Sequence, residues 1–355
     1  MAFSRVPKEP KNQINKAGEI LIQENPRVEE LAWAWDLANR WRACHAYPIN
    51  TFQANLRSKL VVYSGDPIAA QRLKRMPTII EKLKRFPAMQ LTTMQDIGGV
   101  RAILNSVKDV YQLADQFRKS RFLEHQLVNQ KDYIAKPRSE DGYRSLHLMY
   151  RYKNRRALAY NGLRLELQIR TKLQHTRATA VETMGTFLGQ ALKSRQGDQE
   201  WLDFFAIVSS AFAHKEKCAP IPRFAQLSAR ETFEAVARAE VALQALEKIA
   251  GFSVAVDTIV KSRGSSKGWY YHLIVLDSLK KTVQITAYDR ESFKRAISDY
   301  GKIEAQAAQG EKIEPVLVSA GPIETMRRAY PNFFLDIKDF AARVAEIIAA
   351  ASKRG

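Results

Sequence analysis

The sequence predicts an α/β (α+β) protein, a mixed β-sheet flanked by helices, followed by a smaller C-terminal α/β unit. Three observations carry that expectation. Apolar residues recur at three- and four-residue spacing through roughly the first 95 residues, the period of helices. From Val100 to Ile169 short apolar runs of strand length alternate with helical stretches. A Pro-containing segment, His214 to Phe224, then separates this part from a second set of strand and helix patterns.

Taken in order, helices are expected over Glu19 to Glu24 and Val28 to His45, interrupted at Pro26. Trp33, Trp35 and Trp41 have the spacing of core residues there. Pro67 to Arg85 is expected to be one more amphipathic segment, unusually basic through Arg72, Lys74, Arg75, Lys82, Lys84 and Arg85. A strand is then expected at Val100 to Leu104, a helix at Val107 to Ser120 and a strand at Leu127 to Ile134. Leu146 to Tyr152 and Leu163 to Ile169 read as paired strands joined by a basic loop with Asn and Gly, and Gln174 to Leu192 as helix. Beyond the linker, Ser228-x-x-Glu231 is a capping box that opens a long helix. Strands are expected at Ser253 to Lys261, Trp269 to Leu276 and Thr282 to Ala287. A helix, a short strand at Pro315 to Ser319 and two helices follow. The expected domains are residues 1–225 and 226–355.

Of 355 residues, 46% are apolar, enough for packed cores, so disorder is not the expected dominant state. No apolar run reaches the ~20 residues that span a bilayer. Residues 1–16 are polar, contain Pro and show no signal-peptide core. Cys44 and Cys218 stand far apart and outside any C-x-x-C pair. Neither a disulfide framework nor structural zinc is expected, and a cytoplasmic location is. The formal net charge is +19. Residues 226–355 hold 19 Lys+Arg against 16 Asp+Glu, while residues 1–225 hold 37 against 21. So basic an N-terminal part favours a polyanionic partner or a nucleotide.

There is no P-loop, G-x-G-x-x-G, H-E-x-x-H or G-x-S-x-G, and the six histidines are scattered. Three segments stand out as a set: Asp96-Ile-Gly-Gly-Val-Arg101; Lys131-Asp-Tyr-Ile-Ala-Lys-Pro-Arg138 leading to Gly142-Tyr-Arg-Ser-Leu-His147; and Glu166-Leu-Gln-Ile-Arg-Thr171. They supply two carboxylates beside strands, many cations and a loop tyrosine. Two carboxylates suit a hydrated Mg²⁺ shared with substrate phosphates. Cations neutralise a transferring phosphoryl group, and an aromatic face stacks on a base. Each segment alone also reads as structural: Asp96 as a turn cap, Glu166 as a strand-face charge, Tyr143 as a packed loop residue and His147 as a core histidine. The ordered set points to phosphate-transfer chemistry on a nucleotide.

The set resembles the synthetase domain of the RelA/SpoT family, over about residues 50–185. That family has a nucleotidyltransferase-like fold and moves pyrophosphate from ATP to a ribose hydroxyl. No N-terminal hydrolase region is seen, as in its small single-activity members. The resemblance implies that Arg72 and Arg101 sandwich the adenine of ATP. Lys74 and Lys82 would hold the phosphates, with Thr78 in the place of the family's usual Ser in Thr78-x-x-x-Lys82. Asp96 would bind Mg²⁺, and Glu166 would bind metal or act as base on the attacking hydroxyl. Tyr143 would stack on the acceptor base, with His147 and Gln168 near the acceptor. Arg170 and His175 read equally as site residues or supports.

Members of the family modify GDP or GTP, or the 3′-terminal adenosine of tRNA. The basic N-terminal part, with Arg151, Lys153, Arg155 and Arg156 as tRNA contacts, favours tRNA. The alternatives are a GDP/GTP-directed alarmone synthetase and a non-catalytic RNA-binding regulator. Ile323 to Asp336 resembles the antitoxin domain of CapRel-like fused toxin–antitoxin proteins, zinc-finger-like without zinc ligands, which blocks the ATP site. Tyr330-Pro-Asn-Phe333 stands at the inhibitory Tyr-x-x-Tyr. The resemblance further implies release by a phage protein, typically the major capsid protein, and Trp269-Tyr-Tyr271 is the expected docking strand. A monomer is expected.

Overall fold

The stretch expected to form one amphipathic segment, Pro67 to Arg85, divides in two. Ile68–Leu73 is strand β1 and Met76–Arg85 is helix α4. Pro77 explains the break, because proline has no N–H and is tolerated only in the first turn of a helix. The structure is a computed structural model and describes residues 3–119, 124–187, 199–252, 257–262, 271–277, 280, 282–289, 291–309, 311, 313–318 and 337–352.

Helices α1 (Lys11–Ile20), α2 (Val28–Cys44) and α3 (Ala46–Leu60) precede β1. After α4 come β2 (Gly98–Leu104), α5 (Val107–Lys119), β3 (Gln126–Asp132), β4 (Leu146–Arg151), β5 (Arg164–Thr171) and α6 (Lys172–Phe187). Next are α7 (Gln199–Lys215), α8 (Ala229–Leu243), α9 (Ala245–Phe252), β6 (Asp257–Ser262), β7 (Tyr271–Asp277) and β8 (Thr282–Tyr288). The last described elements are α10 (Phe293–Ala308), β9 (Ile313–Val318) and α11 (Lys338–Ser352). The expected strands and helices between Val100 and Ile169 all form, within a few residues of their expected ends.

The strands make one mixed sheet in the order β3-β4-β5-β2-β1-β9-β7-β8-β6. β2 runs parallel to β5 and β6 parallel to β8, and the other neighbours are antiparallel. A single pair, Arg72 with Val318, joins β1 to β9, so strands from both ends of the sequence share the sheet. Helices α1 to α5 cover one large apolar core built on Phe52, Leu56, Val100, Leu148 and Leu167. A second core joins α6 and α7 to α8 and α11 through Phe204, Phe205, Val236 and Phe340. A third packs Tyr300 and Ala296 of α10 on Tyr271, Leu273 and Leu317, reaching Ala46 of α3.

Two further expectations are adjusted. Helix α7 was not anticipated, and it takes His214 and Lys215 out of the expected linker. Nearly every residue from Trp201 to Ala213 is buried, so the one-sided apolar stripe that reveals a surface helix is absent. The capping box at Ser228 forms as expected: Glu231 N donates to Ser228 Oγ at 3.2 Å and Ser228 N to Glu231 Oε2 at 2.8 Å. Tyr271 does not lie on an exposed edge. It is buried, and β7 is paired on both sides by β9 and β8. Trp269, Tyr270, Tyr330 and Phe333 lie outside the described residues.

Candidate active site

Strand register assembles the site. Arg72 of β1 pairs with Gly99 of β2, which pairs with Glu166 of β5, which pairs with Met149 of β4. The adjacent row on the same face runs Ala70, Arg101, Gln168, His147 and Lys131. Alternate residues of a strand share a face, so the pattern Glu166-x-Gln168 puts both side chains over one cavity. That cavity has a volume of about 300 Å³. Gly99 forms the floor of an adjoining recess lined by Arg72, Asp96, Glu166 and Gln168, and a Cβ there would meet nothing nearer than 3.9 Å.

Helix α4 forms one wall. Thr78 and Lys82, one turn apart, both line the cavity. Lys74 is placed by its backbone, whose N–H donates to Ile97 O at 2.8 Å. Its ammonium donates to Asp96 Oδ2 at 3.0 Å, and the Lys82 ammonium donates to Asp96 Oδ1 at 2.8 Å. Enclosure by protein would raise the Asp96 carboxyl, but the two ammonium groups outweigh it and hold the group well below the usual carboxylate range. Lys74 itself is lowered, because its desolvation exceeds the attraction of Asp96.

Glu166 and His147 form a second charge pair, Oε1 to Nδ1, at 2.7 Å. Gln168 donates Nε2–H to Glu166 Oε2 at 2.8 Å, and His147 Nε2 bonds the Tyr143 hydroxyl at 2.9 Å. Burial acts against the imidazolium, yet Tyr143 and Glu166 together raise His147 to about 9. Burial would likewise raise Tyr143, but His147 and Arg170 bring it down to about 8. Burial also raises Glu166, and the imidazolium overrides it to keep the carboxylate ionised.

The loop holding Tyr143 is braced from behind. Gly142 adopts φ +69°, and a Cβ there would come within 2.6 Å of Ser209 on α7. Ser209 Oγ donates to Gly142 O at 2.6 Å, and Asp141 Oδ1 accepts from Tyr143 N at 3.1 Å. Arg138 lies 4.4 Å over the Tyr143 ring and Tyr133 meets the ring edge-on.

Arg72, Lys74, Thr78, Lys82, Asp96, Arg101, Tyr143, His147, Glu166 and Gln168 thus line one cavity. Arg151, Lys153, Arg155 and Arg156 do not. They begin four residues beyond His147 along β4, about 13 Å at strand rise, and Arg155 already pairs with Glu124 at 2.7 Å. Four arginines that the sequence did not single out as binding residues also line the cavity: Arg75, Arg85, Arg138 and Arg177. Arg138 pairs with Asp141 at 2.8 Å. Arg177 of α6 is 3% exposed, and its Nε and Nη2 have no hydrogen-bond partner among the described residues. Burial lowers Arg177 to about 10 and Arg170 to about 9. Arg170 bonds His175 through Nδ1, so that pair lies against the site. The signal for Arg177 was its charge at the helical spacing of the buried Gln174, Ala178 and Val181. In all, ten Lys and Arg line the cavity against five carboxylates, the balance of a site for a polyanion.

Residues 71–185 match the family described as "Region found in RelA / SpoT proteins". The chain carries a RelA/SpoT region. That region contains every cavity residue expected from the sequence, Arg72 through Gln168. The chain is 36% identical over 111 residues to the GTP pyrophosphokinase YjbM of Bacillus subtilis (strain 168), covering 30% of this chain and 51% of that protein. It is 31% identical over 119 residues to the GTP pyrophosphokinase YwaC of the same organism, covering 31% and 55%. It therefore spans about half the length of these curated relatives. Among solved structures, small alarmone synthetase 1 from Bacillus subtilis bound to its product pppGpp aligns at 25% identity with a TM-score of 0.41. That alignment covers 50% of this chain and 93% of the other. A GTP pyrophosphokinase family protein from Streptococcus pneumoniae aligns at 22% identity with a TM-score of 0.41, over 49% and 87%.

Two outcomes test this geometry. The raised His147 stabilises the fold fully below the ordinary imidazole value near 6.5, and the contribution fades as pH climbs through about 9. An NMR titration of the ring should therefore have its midpoint near 9 and move toward 6.5 in Glu166→Gln; an unmoved midpoint would contradict the pairing. Gly99→Val should leave stability within about 0.5 kcal/mol, because its Cβ makes only ordinary contacts at 3.9 Å and valine suits a strand. The same variant should lose nucleotide binding, read by calorimetry, and retained binding would show that the recess floor is not used.

Proposed function

We propose that the chain is an ATP-dependent pyrophosphokinase acting on a ribose 3′-hydroxyl. The observation that carries this reading is the pair of ionised carboxylates, Asp96 and Glu166, lining one cavity in which cations outnumber carboxylates two to one. The RelA/SpoT match over the same residues supports it.

In this reading Arg72 and Arg101 hold the adenine between their guanidinium planes. Lys74, Lys82 and Thr78 take the phosphates, whose oxygens replace Asp96 as partners of the ammonium groups. Asp96 and Glu166 suit Mg²⁺ because both present carboxylate oxygens to the cavity, and the bound ion supplies neutralisation of the triphosphate charge. Tyr143 stacks on the acceptor base, while His147 and Gln168 orient Glu166. The 3′-hydroxyl oxygen attacks the β-phosphorus of ATP, and the bond from that phosphorus to the α–β bridging oxygen breaks. AMP leaves with the electron pair, and Glu166 takes the hydroxyl proton.

For the acceptor we favour the terminal adenosine of the tRNA CCA end, which would stop translation. The 37 Lys+Arg against 21 Asp+Glu of residues 1–225 support it, with Arg151, Lys153, Arg155 and Arg156 as an outlying basic tip for the RNA backbone. A second reading, GDP or GTP as acceptor, is favoured by the names of the relatives. Residues 226–355 would act as the restraint, with Tyr330 and Phe333 filling the adenine slot until a phage protein such as the major capsid protein draws them away. Val316 of β9 lines the cavity and Val318 of β9 pairs with Arg72, so the C-terminal part abuts the site, which supports the reading. The protein would act as a monomer in the cytoplasm. No described helix is long and apolar enough to cross a membrane.

The test uses ATP labelled in its β and γ phosphates and the full chain bearing Tyr330→Ala and Phe333→Ala. Label should pass to tRNA, and to GDP only if the second reading holds. Adding Glu166→Gln should cut transfer by about 10²- to 10⁴-fold, and Tyr143→Ala should abolish it while ATP still binds. Label on neither acceptor would overturn the proposal.

A further inference from the structure

Helix α4 carries Thr78 and Lys82 but has no cap of its own. Its N-cap residue is Arg75, whose side chain makes no capping hydrogen bond. Met76 is wholly buried, and a buried N–H at a helix start needs an acceptor. The acceptor comes from 228 residues away. Met76 N–H donates to Glu304 Oε1 of α10 at 2.6 Å. Glu304 is 1% exposed. Its carboxylate also accepts from Tyr300 Oη at 2.9 Å, and it pairs with Arg42 Nη1 of α2 at 2.7 Å. Arg42 Nη1 reaches Lys74 O at 3.4 Å, and its guanidinium lies 4.8 Å over the Tyr300 ring.

One buried cluster therefore grips the turn 74–76 at two points, the carbonyl of Lys74 and the N–H of Met76. From that turn depart the Lys74 side chain, which reaches Asp96, and the helix that aims Lys82 at the same carboxylate. A negative charge at a helix N-terminus is also favoured by the helix dipole. Tyr300 and Glu304 lie outside the RelA/SpoT region, in the part of the chain read above as a detachable restraint.

We propose that Glu304 is a positioning residue of the cavity, so that the C-terminal part completes the phosphate-binding wall as well as regulating it. The proposal rests on the reading of that wall as the ATP site. Because α10 holds α4, any partner that pulls α10 away alters the wall itself. Residues 1–225 alone then lack the cap and should bind ATP weakly even with no plug in the slot.

The test compares three full-length proteins, each bearing Tyr330→Ala and Phe333→Ala to clear the adenine slot: one otherwise wild type, one with Arg42→Met and Glu304→Gln, and one with Arg42→Met and Glu304→Leu. Both pairs remove the buried charges together, so neither leaves an unpaired ion in the core. Only the Gln pair keeps an oxygen for Met76 N–H. Hydrogen exchange should leave the first turn of α4 protected within about twofold in the Gln pair, and deprotect it about tenfold in the Leu pair. Calorimetry should find ATP affinity near that of the first protein in the Gln pair and about tenfold weaker in the Leu pair. A Leu pair that melts cooperatively, yet keeps α4 protected or keeps its ATP affinity, would overturn the proposal. If the Leu pair does not fold, Arg42→Met with Glu304→Ala carries the same expectations. If the protein altered only at Tyr330 and Phe333 binds no ATP, the reading of the cavity fails, while the exchange data still decide whether Glu304 caps α4.

Discussion

Asp96 is the hinge of this molecule's chemistry. Its carboxylate is gripped by two ammonium groups that come from different places, Lys74 from the turn after β1 and Lys82 from the second turn of α4. Largely shielded from water, the three groups are costly to separate without a replacement charge. That constraint dictates how the wall must be built. β1 must end where it does, α4 must start at Met76, and the turn between them must be held rigidly.

The cavity as it stands is a set of internally neutralised charges. Asp96 answers Lys74 and Lys82, Glu166 answers His147, and Asp141 answers Arg138. On the proposed reading, a triphosphate entering such a site would not meet bare cations. It would exchange partners with carboxylates that are already ionised, and the reorganisation needed is small. The surplus cations, Arg177 foremost, bias that exchange toward a highly charged ligand. Tyr143 is held by His147 on one side and by the Gly142 turn behind it, and on the proposed reading this presets it for the second substrate.

Much of this was legible in the sequence because it is local. Arg72, Arg101 and the alternation Glu166-x-Gln168 lie on short strands whose period fixes the face they share, and Asp96 stands two residues before β2. Two kinds of feature were not legible. Helix α7, which buttresses the Tyr143 loop, is apolar on nearly every side and so shows no one-sided stripe. The pairing of Glu304 with Arg42 and Met76 spans 228 to 262 positions, and nothing near Glu304 marks it as more than one polar residue on an amphipathic helix. The split of Pro67 to Arg85 into strand and helix lay between these cases. Pro77 was visible, but basic residues at mixed spacing masked the change of period.

The phosphorus fate of ATP tests the central claim most directly. Transfer of the β,γ-pyrophosphoryl group leaves AMP, whereas transfer or hydrolysis of the terminal phosphate leaves ADP. Phosphorus NMR of the full chain bearing Tyr330→Ala and Phe333→Ala, with ATP, Mg²⁺ and acceptor, should show AMP forming in step with an acceptor that carries two new phosphates. ADP as the product, with no AMP, would contradict the account.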